Sequence, residues 1–231
     1  MKKVSMIALL ALFLSTDRFL LGQQHDEAAH ARLKAQSDRD KRDAGRWYWQ
    51  MPKRVISEIG IRPGLAVADV GAGDGYFALR IARVVGKAGK VYANDIDQKA
   101  LDVLRVRMEA EELRNIEIVH GRPDDPLLPR ASVDLALMVN VIHLIKEKTT
   151  FLANLKSGLK PGGRLVIVQW DAEKMDSEAA GWDPEDRARF TQEATLRWIF
   201  EAGYDVIRLL NFLPMQNIYI CKPRPAANSG D

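Results

Sequence analysis

An α/β fold, a doubly wound and mostly parallel sheet, is predicted by three features of this 231-residue chain. From residue 65 onward, short apolar runs alternate with stretches of helical periodicity, the pattern of strands covered by helices on both faces. The first run, Val67-Ala-Asp-Val70, passes straight into Gly71-Ala-Gly-Asp-Gly75, a turn with glycine at every second position. An acid, Asp95, closes the second run, 20 residues beyond Gly75.

Taken in order, strands are predicted near 65–70, 90–95, 115–119, 133–139, 163–169, 204–210 and 216–222. Helices are predicted near 74–86, 98–112, 146–159 and 186–202. Asp97, followed by Leu101, Leu104 and Met108 at helical spacing, reads as an N-cap. Leu159-Lys-Pro-Gly-Gly-Arg-Leu165 makes the tight reversal into the fifth strand. The last two strands are joined only by Asn211-Phe-Leu-Pro214, too short for a helical crossover, so they run antiparallel. Ahead of the first strand, Pro52 and the apolar Val55, Ile56 and Ile59 indicate a short helix.

Composition bounds the function only loosely. The chain is 47% hydrophobic and 28% charged, ordinary for a soluble globule large enough for one full core. Its net charge is +3, and Lys2, Lys3 and Arg18 against Asp17 place +2 of that in residues 1–22. The remainder carries +1, which gives no footprint for nucleic acid. Cys221 is alone, so no intrachain disulfide forms. His25, His30, His120 and His143 show no metal-ligand spacing.

The amino terminus reads differently. Lys2-Lys3 precede an 11-residue apolar run, Val4 to Leu14, too short to span a bilayer. This is the pattern of a signal peptide or membrane tether over residues 1–22, without an A-x-A-like cleavage site. The expected location is therefore export to the periplasm or membrane attachment; a start site assigned too far upstream would leave the protein cytoplasmic. Residues 23–46 are polar with alternating charge and read as a solvated helix or loose arm. Trp47 and Trp49 either anchor that arm or close over a ligand mouth. The tail, residues 223–231, reads as disordered.

The glycine turn brings bare backbone close to a ligand. Its G-x-G-x-G spacing differs from the G-x-G-x-x-G of a dinucleotide site, whose third glycine would fall at Tyr76. At the end of the second strand, the Asp95 carboxylate has two oxygens and no donor, which suits both hydroxyls of a ribose.

On these residues the chain resembles the class I S-adenosylmethionine (SAM)-dependent methyltransferases over about residues 47–222. The resemblance implies a Rossmann-like seven-stranded sheet in the order 3-2-1-4-5-7-6 with an antiparallel last strand. It implies SAM as cofactor, Asp69 near its methionine part, and Gly71, Ala72, Gly73 and Gly75 as the turn beneath it. Asp95 and its neighbour Ile96 would take the adenosyl part. Many members of the family place an Asp directly after the glycine at 121 to meet the adenine amino group. Arg122 stands there in this chain, so Asp124 or Asp125 of Pro123-Asp-Asp-Pro126 would substitute, unless that loop is only a rigid surface turn. The Pro-Asp-Asp-Pro loop and Trp49-Gln-Met-Pro52 are similar to segments of one bacterial group in the family.

The fourth strand delivers Asn140-Val-Ile-His143 to the same sheet edge. His143 is the expected general base, since a neutral imidazole takes a proton near pH 7; the alternative is a histidine that only bonds a helix start. Asn140 is grouped with it, and with the cofactor residues. Asn140 lacks the Pro-Pro-Tyr that follows it in methyltransferases acting on amides or base amino groups. Gln169-Trp-Asp171 reach the same edge, and the polar segment 172–185 reads as a lid or substrate loop. The expected function is transfer of the sulfonium methyl to a small-molecule acceptor. A non-catalytic SAM-binding module and a nicotinamide-dependent oxidoreductase are the alternatives; the glycine spacing and the last hairpin speak against the second.

Overall fold

The computed structural model describes residues 34, 36–175 and 187–225. The predicted signal segment, Trp182 with most of the predicted lid, and the end of the tail lie outside the described residues. The chain divides into two compact units, residues 1–48 and 49–231. In the first, residues 36–48 are helical, as the alternating charge predicts for a solvated face.

The second unit carries one seven-stranded sheet in the order β3-β2-β1-β4-β5-β7-β6. Its strands are β1 (Ala66–Val70), β2 (Lys90–Asp95), β3 (Ile116–His120), β4 (Val133–Val139), β5 (Leu159–Trp170), β6 (Tyr204–Leu210) and β7 (Gln216–Pro223). Its helices are α1 (Pro52–Glu58), α2 (Ala78–Val85), α3 (Gln98–Ala110), α4 (Lys148–Gly158) and α5 (Gln192–Glu201). β1 to β5 pair in parallel, while β7 runs antiparallel to both β5 and β6. The antiparallel final pair agrees with the short link read from the sequence, and the strand order with what the resemblance implies.

Alternation along the central strands divides the core in two. Val67, Leu135, Leu137 and Val166 pack with Val55, Ile59, Leu79 and Leu104 on one face. Ala68, Ala136, Met138 and Ile167 pack with Phe151, Leu152, Leu155 and Ile199 on the other. β1 is buried on both sides, which is why its sequence is apolar throughout except for Asp69. The strand order reverses at β1, with β2 on one side and β4 on the other, so the loops leaving β1 and β4 separate and open a crevice at their carboxyl ends.

Three element ends differ from the periodicity reading, each for a local reason. The predicted helix at 74–86 begins only at Ala78, because Gly75 has φ 93°, outside any right-handed helix. The last helix begins at Gln192, where the Thr191 side chain accepts from Ala194 N–H at 3.1 Å. β5 starts at Leu159 rather than near 163. Its Pro-Gly-Gly portion pairs irregularly with β4, and a Cβ on Gly163 would stand 2.9 Å from Lys160 O and 3.1 Å from Val133 O, so a side chain there would crowd the turn and the neighbouring strand.

Asp97 caps α3, its side chain accepting from Lys99 N–H at 2.9 Å and Ala100 N–H at 3.4 Å. Asp97→Ala is expected to cost about 1 kcal/mol of folding stability. Chemical denaturation should show a lower midpoint at unchanged slope. Ligand binding at the sheet edge should be retained, because the contact of Asp97 with Asp95 is made by its backbone N–H.

Candidate functional site

The turn after β1 is tied to the end of β2. Gly71 and Ala72 both donate backbone N–H to Asn94 O, at 2.8 and 2.9 Å. Gly71, Gly73 and Gly75 all have positive φ, 76°, 55° and 93°. Their reasons for being glycine differ. A Cβ on Gly71 would lie 2.2 Å from Val141 Cγ2, and one on Gly75 would lie 2.4 Å from Leu104 Cδ1. Those two are demanded by packing within the protein. A Cβ on Gly73 would meet nothing within 4 Å, so the middle glycine is the one that presents open backbone.

Gly73 N–H donates to Asp95 Oδ2 at 2.8 Å, and Asp97 N–H to Asp95 Oδ1 at 2.9 Å. Each carboxylate oxygen therefore keeps a lone pair for a further donor, and the side chain cannot rotate away. Asn94, before it, is 3% exposed and donates Nδ2 to Pro126 O at 2.8 Å and Val119 O at 3.2 Å. This pins the Pro123–Pro126 loop to the strand ends. Sequence reasoning missed Asn94; the signal was a lone amide inside an apolar strand.

A cavity of about 630 Å³ opens where these pieces meet. Of the predicted residues, Gly71, Asp95, Ile96, Asp124 and Asn140 line it. Asp69, Ala72, Gly73, Gly75, Asp125 and His143 are not part of its wall. Asp69 is 2% exposed and, by strand alternation, shares the sheet face of Val67. Asp125 turns its Oδ1 to Leu127 N–H at 2.8 Å, within its own loop. Asp124 is exposed at the cavity and its carbonyl accepts from Asn154 Nδ2 at 2.9 Å. The cavity walls are mostly apolar, with Val139, Ile145 and Phe151 opposite a few polar groups, the usual make-up of a small-molecule site.

Asn140 and His143 are parted by the loop geometry. Asn140 has φ 57°, and the chain then makes a 3-10 turn over Ile142–Leu144. Asn140 Oδ1 accepts from Gln216 Nε2 at 2.7 Å. His143 Nδ1 instead lies 3.1 Å from Gln169 Oε1, and its ring packs edge-on against Phe190 at 4.8 Å. With Nδ1–H donating to Gln169, the Nε2 lone pair is the one left to take a proton. Burial holds the His143 pKa below the ordinary 6.5, outweighing the opposing effect of the Gln169 bond, and the positive charges of Lys148 and Arg189 add smaller pushes downward. The imidazole is thus kept neutral.

Trp49 stacks on Trp170 at the end of β5, ring centroids 5.0 Å apart.

Residues 67–163 match a family model described as a methyltransferase domain. Among curated relatives, a ubiquinone/menaquinone biosynthesis C-methyltransferase of Marinomonas sp. (strain MWYL1) is 28% identical over 127 residues, covering 54% of this chain and 50% of that protein. The same-named protein of Francisella philomiragia subsp. philomiragia is 29% identical over 119 residues, covering 51% and 48%. The chain spans about half the length of the curated relatives it matches. Among solved structures, a SAM-dependent methyltransferase from Aquifex aeolicus aligns with a TM-score of 0.69 at 26% identity, covering 76% of this chain and 91% of that one. The cyclase SpnF shares the fold, with a TM-score of 0.61 at 16% identity over 77% of this chain and 82% of its own. Sheet order and family match together make this a class I methyltransferase fold.

Two measurements follow from the geometry. Gly75→Ala should destabilise the protein by about 1–3 kcal/mol through overpacking against Leu104, beyond any backbone strain. Gly73→Ala carries backbone strain alone and should lose less, as read by urea denaturation of both. The second concerns pH. Because the folded pKa of His143 lies below its unfolded value, its contribution to stability is full above pH 6.5. That contribution is lost as pH falls through the folded value. His143→Gln should therefore flatten the stability-versus-pH curve below pH 6.5.

Proposed function

We propose that this chain, with its class I methyltransferase domain, binds SAM and transfers the sulfonium methyl to a small-molecule acceptor. The observation that carries the reading is the Asp95 carboxylate fixed to Gly73 N–H on the wall of the carboxyl-edge cavity. A pinned carboxylate with lone pairs to spare fits a ribose diol, and the open backbone at Gly73 fits a close-lying ligand. The cavity volume suits one adenosyl group with its methionine chain.

Bound SAM supplies an electrophilic methyl on a sulfonium, so the protein's task is orientation and exclusion of water. Of the residues on the cavity wall, Asp95 would hold the ribose hydroxyls, and Ile96 and Val141 would offer apolar surface to the base. Asp124, exposed on the cavity, is placed to accept from the adenine amino group, while Asp125 stabilises the loop behind it. Buried Asp69, if ionised, would add negative potential toward the cationic end of the cofactor. Neutral His143, oriented by Gln169, would be the base that takes the acceptor's proton. The relatives named for C-methylation in quinone biosynthesis favour a carbon acceptor made nucleophilic by a neighbouring hydroxyl. Deprotonation of that hydroxyl is the step where His143 would act.

Because a shared fold does not fix the reaction carried out on it, the other reading is a domain that binds SAM without transferring its methyl. Titration calorimetry of the full chain with SAM, and separately with NAD, tests the cofactor. Saturable binding of SAM alone is expected, and NAD binding in its place would overturn the reading. Asp95→Ala should weaken SAM binding roughly 10- to 100-fold, the loss of a charged hydrogen-bond acceptor. His143→Ala should leave SAM affinity within about twofold of the parent while lowering turnover on phenolic acceptors. Equal loss of SAM affinity from both substitutions would mean that the cofactor has been placed on the wrong residues.

A further inference from the structure

Gln50 and Gln216 are both fully buried, and neither belongs to an apolar cluster of the core. Burying an amide is costly unless its hydrogen bonds are met, so such residues call for a reason. Gln216 opens β7 directly opposite Trp170 of β5. Gln50 follows Trp49, which stacks on that same Trp170. The two amides form a chain with a definite sense. Gln50 Nε2 donates to Gln216 Oε1 at 3.4 Å, and Gln216 Nε2 donates to Asn140 Oδ1 at 2.7 Å.

The chain ends at the cavity. Asn140 lines the wall together with Asp95, and its φ of 57° lies in the left-handed region, where a side chain is strained. Its backbone N–H is held by Val168 O at 2.8 Å. With N–H and Oδ1 so engaged, Nδ2 is the donor that Asn140 has left for a ligand. An amide free to flip would present a donor or an acceptor equally well. The Gln216 donor removes that choice.

We propose that Gln216, oriented by Gln50, is a positioning residue that fixes the Asn140 amide with its N–H₂ group toward the cofactor cavity. Bound SAM then meets a donor there, which discriminates for an oxygen or nitrogen acceptor on the cofactor. The inference rests on the SAM-binding reading above and adds a specificity device to that site.

Calorimetric titration of the full-length variants with SAM tests it. Gln216→Met, nearly isosteric and without a donor, should weaken SAM binding about tenfold. Asn140→Ala should do the same, and the double variant should show no loss beyond the single ones. Gln216→Glu gives a signature that a purely structural role does not. Protonated, the new carboxyl donates to Asn140 Oδ1 and affinity matches the parent. Ionised, it can only accept, so Asn140 must turn its Nδ2 inward, and affinity falls about tenfold relative to the parent at the same pH. Gln50→Met acts through the longer bond and should cost about twofold to threefold. Circular dichroism and melting curves establish that each variant is folded; if Gln216→Met is not, the cycle of Gln50→Met with Asn140→Ala takes its place. Unchanged SAM affinity in Gln216→Met, additive losses in the cycle, or a pH-independent Gln216→Glu would overturn the proposal. If the parent itself fails to bind SAM, the cofactor reading falls first; if the parent binds and the variants bind equally, this inference alone falls.

Discussion

The bond from Gly73 N–H to the Asp95 carboxylate, with the two backbone bonds onto Asn94 O beside it, is the join on which the site depends. It links the turn leaving β1 to the end of β2, two strands that parallel pairing alone would leave with open carboxyl edges. The join works only because the turn runs through three residues at positive φ, and because Asp95 is placed by the register that sets Val70 opposite Asn94. Slide β2 by one residue and Asp95 would point to the other sheet face. The apolar alternation of β1 and β2 that builds the two core layers is thus the same constraint that aims the carboxylate.

A second organisation lies across β4, β5 and β7, and it is polar. Gln169, Asp171, Gln216 and Asn217 are all within 3% of full burial at the carboxyl end of the sheet. Asn217 Nδ2 donates to Asp171 Oδ2 at 2.7 Å, and Lys174 Nζ donates to the carbonyls of Asn211, Leu213 and Gln216. These bonds hold the β6–β7 link and the segment leaving β5 in one arrangement. An apolar core would be the cheaper way to close this end. Directional bonds hold the end in one arrangement, which apolar contacts alone would not specify.

Much of the fold was legible in the sequence because it rests on short-range signals. Alternating apolar runs located every strand, the Asn211–Pro214 link forced the antiparallel hairpin, and the Asp97 cap set the start of α3. The site was legible where one residue type at one spacing suffices, as at Asp95. It was not legible where the partner is distant in sequence. Gly71 is glycine because of Val141 and Gly75 because of Leu104, contacts that no local pattern encodes. The amide chain joins residues 50, 216 and 140, and only the assembled sheet brings them together. Asp69 and Asp124 illustrate the same limit from the other side: both were readable as acids near the turn, yet one is buried on a core face and the other lies on the cavity.

Asn140 and His143 stand three residues apart and serve different neighbours, and this division bears on how the fold acquires new chemistry. The left-handed residue and the 3-10 turn send the Asn140 amide to Gln216 and the cavity, while the imidazole is sent to Gln169 and Phe190. Gln216 shares its sheet face with Ile218, and Gln169 shares the opposite face with Ile167, so the two polar supports cannot substitute for each other. Substitution around His143 therefore leaves the Gln216–Asn140 contact in place, and substitution around Gln216 leaves the His143–Gln169 contact in place. A fold partitioned in this way can keep one part of its sheet edge constant while the other varies. That is consistent with a single fold serving both a methyltransferase and a cyclase.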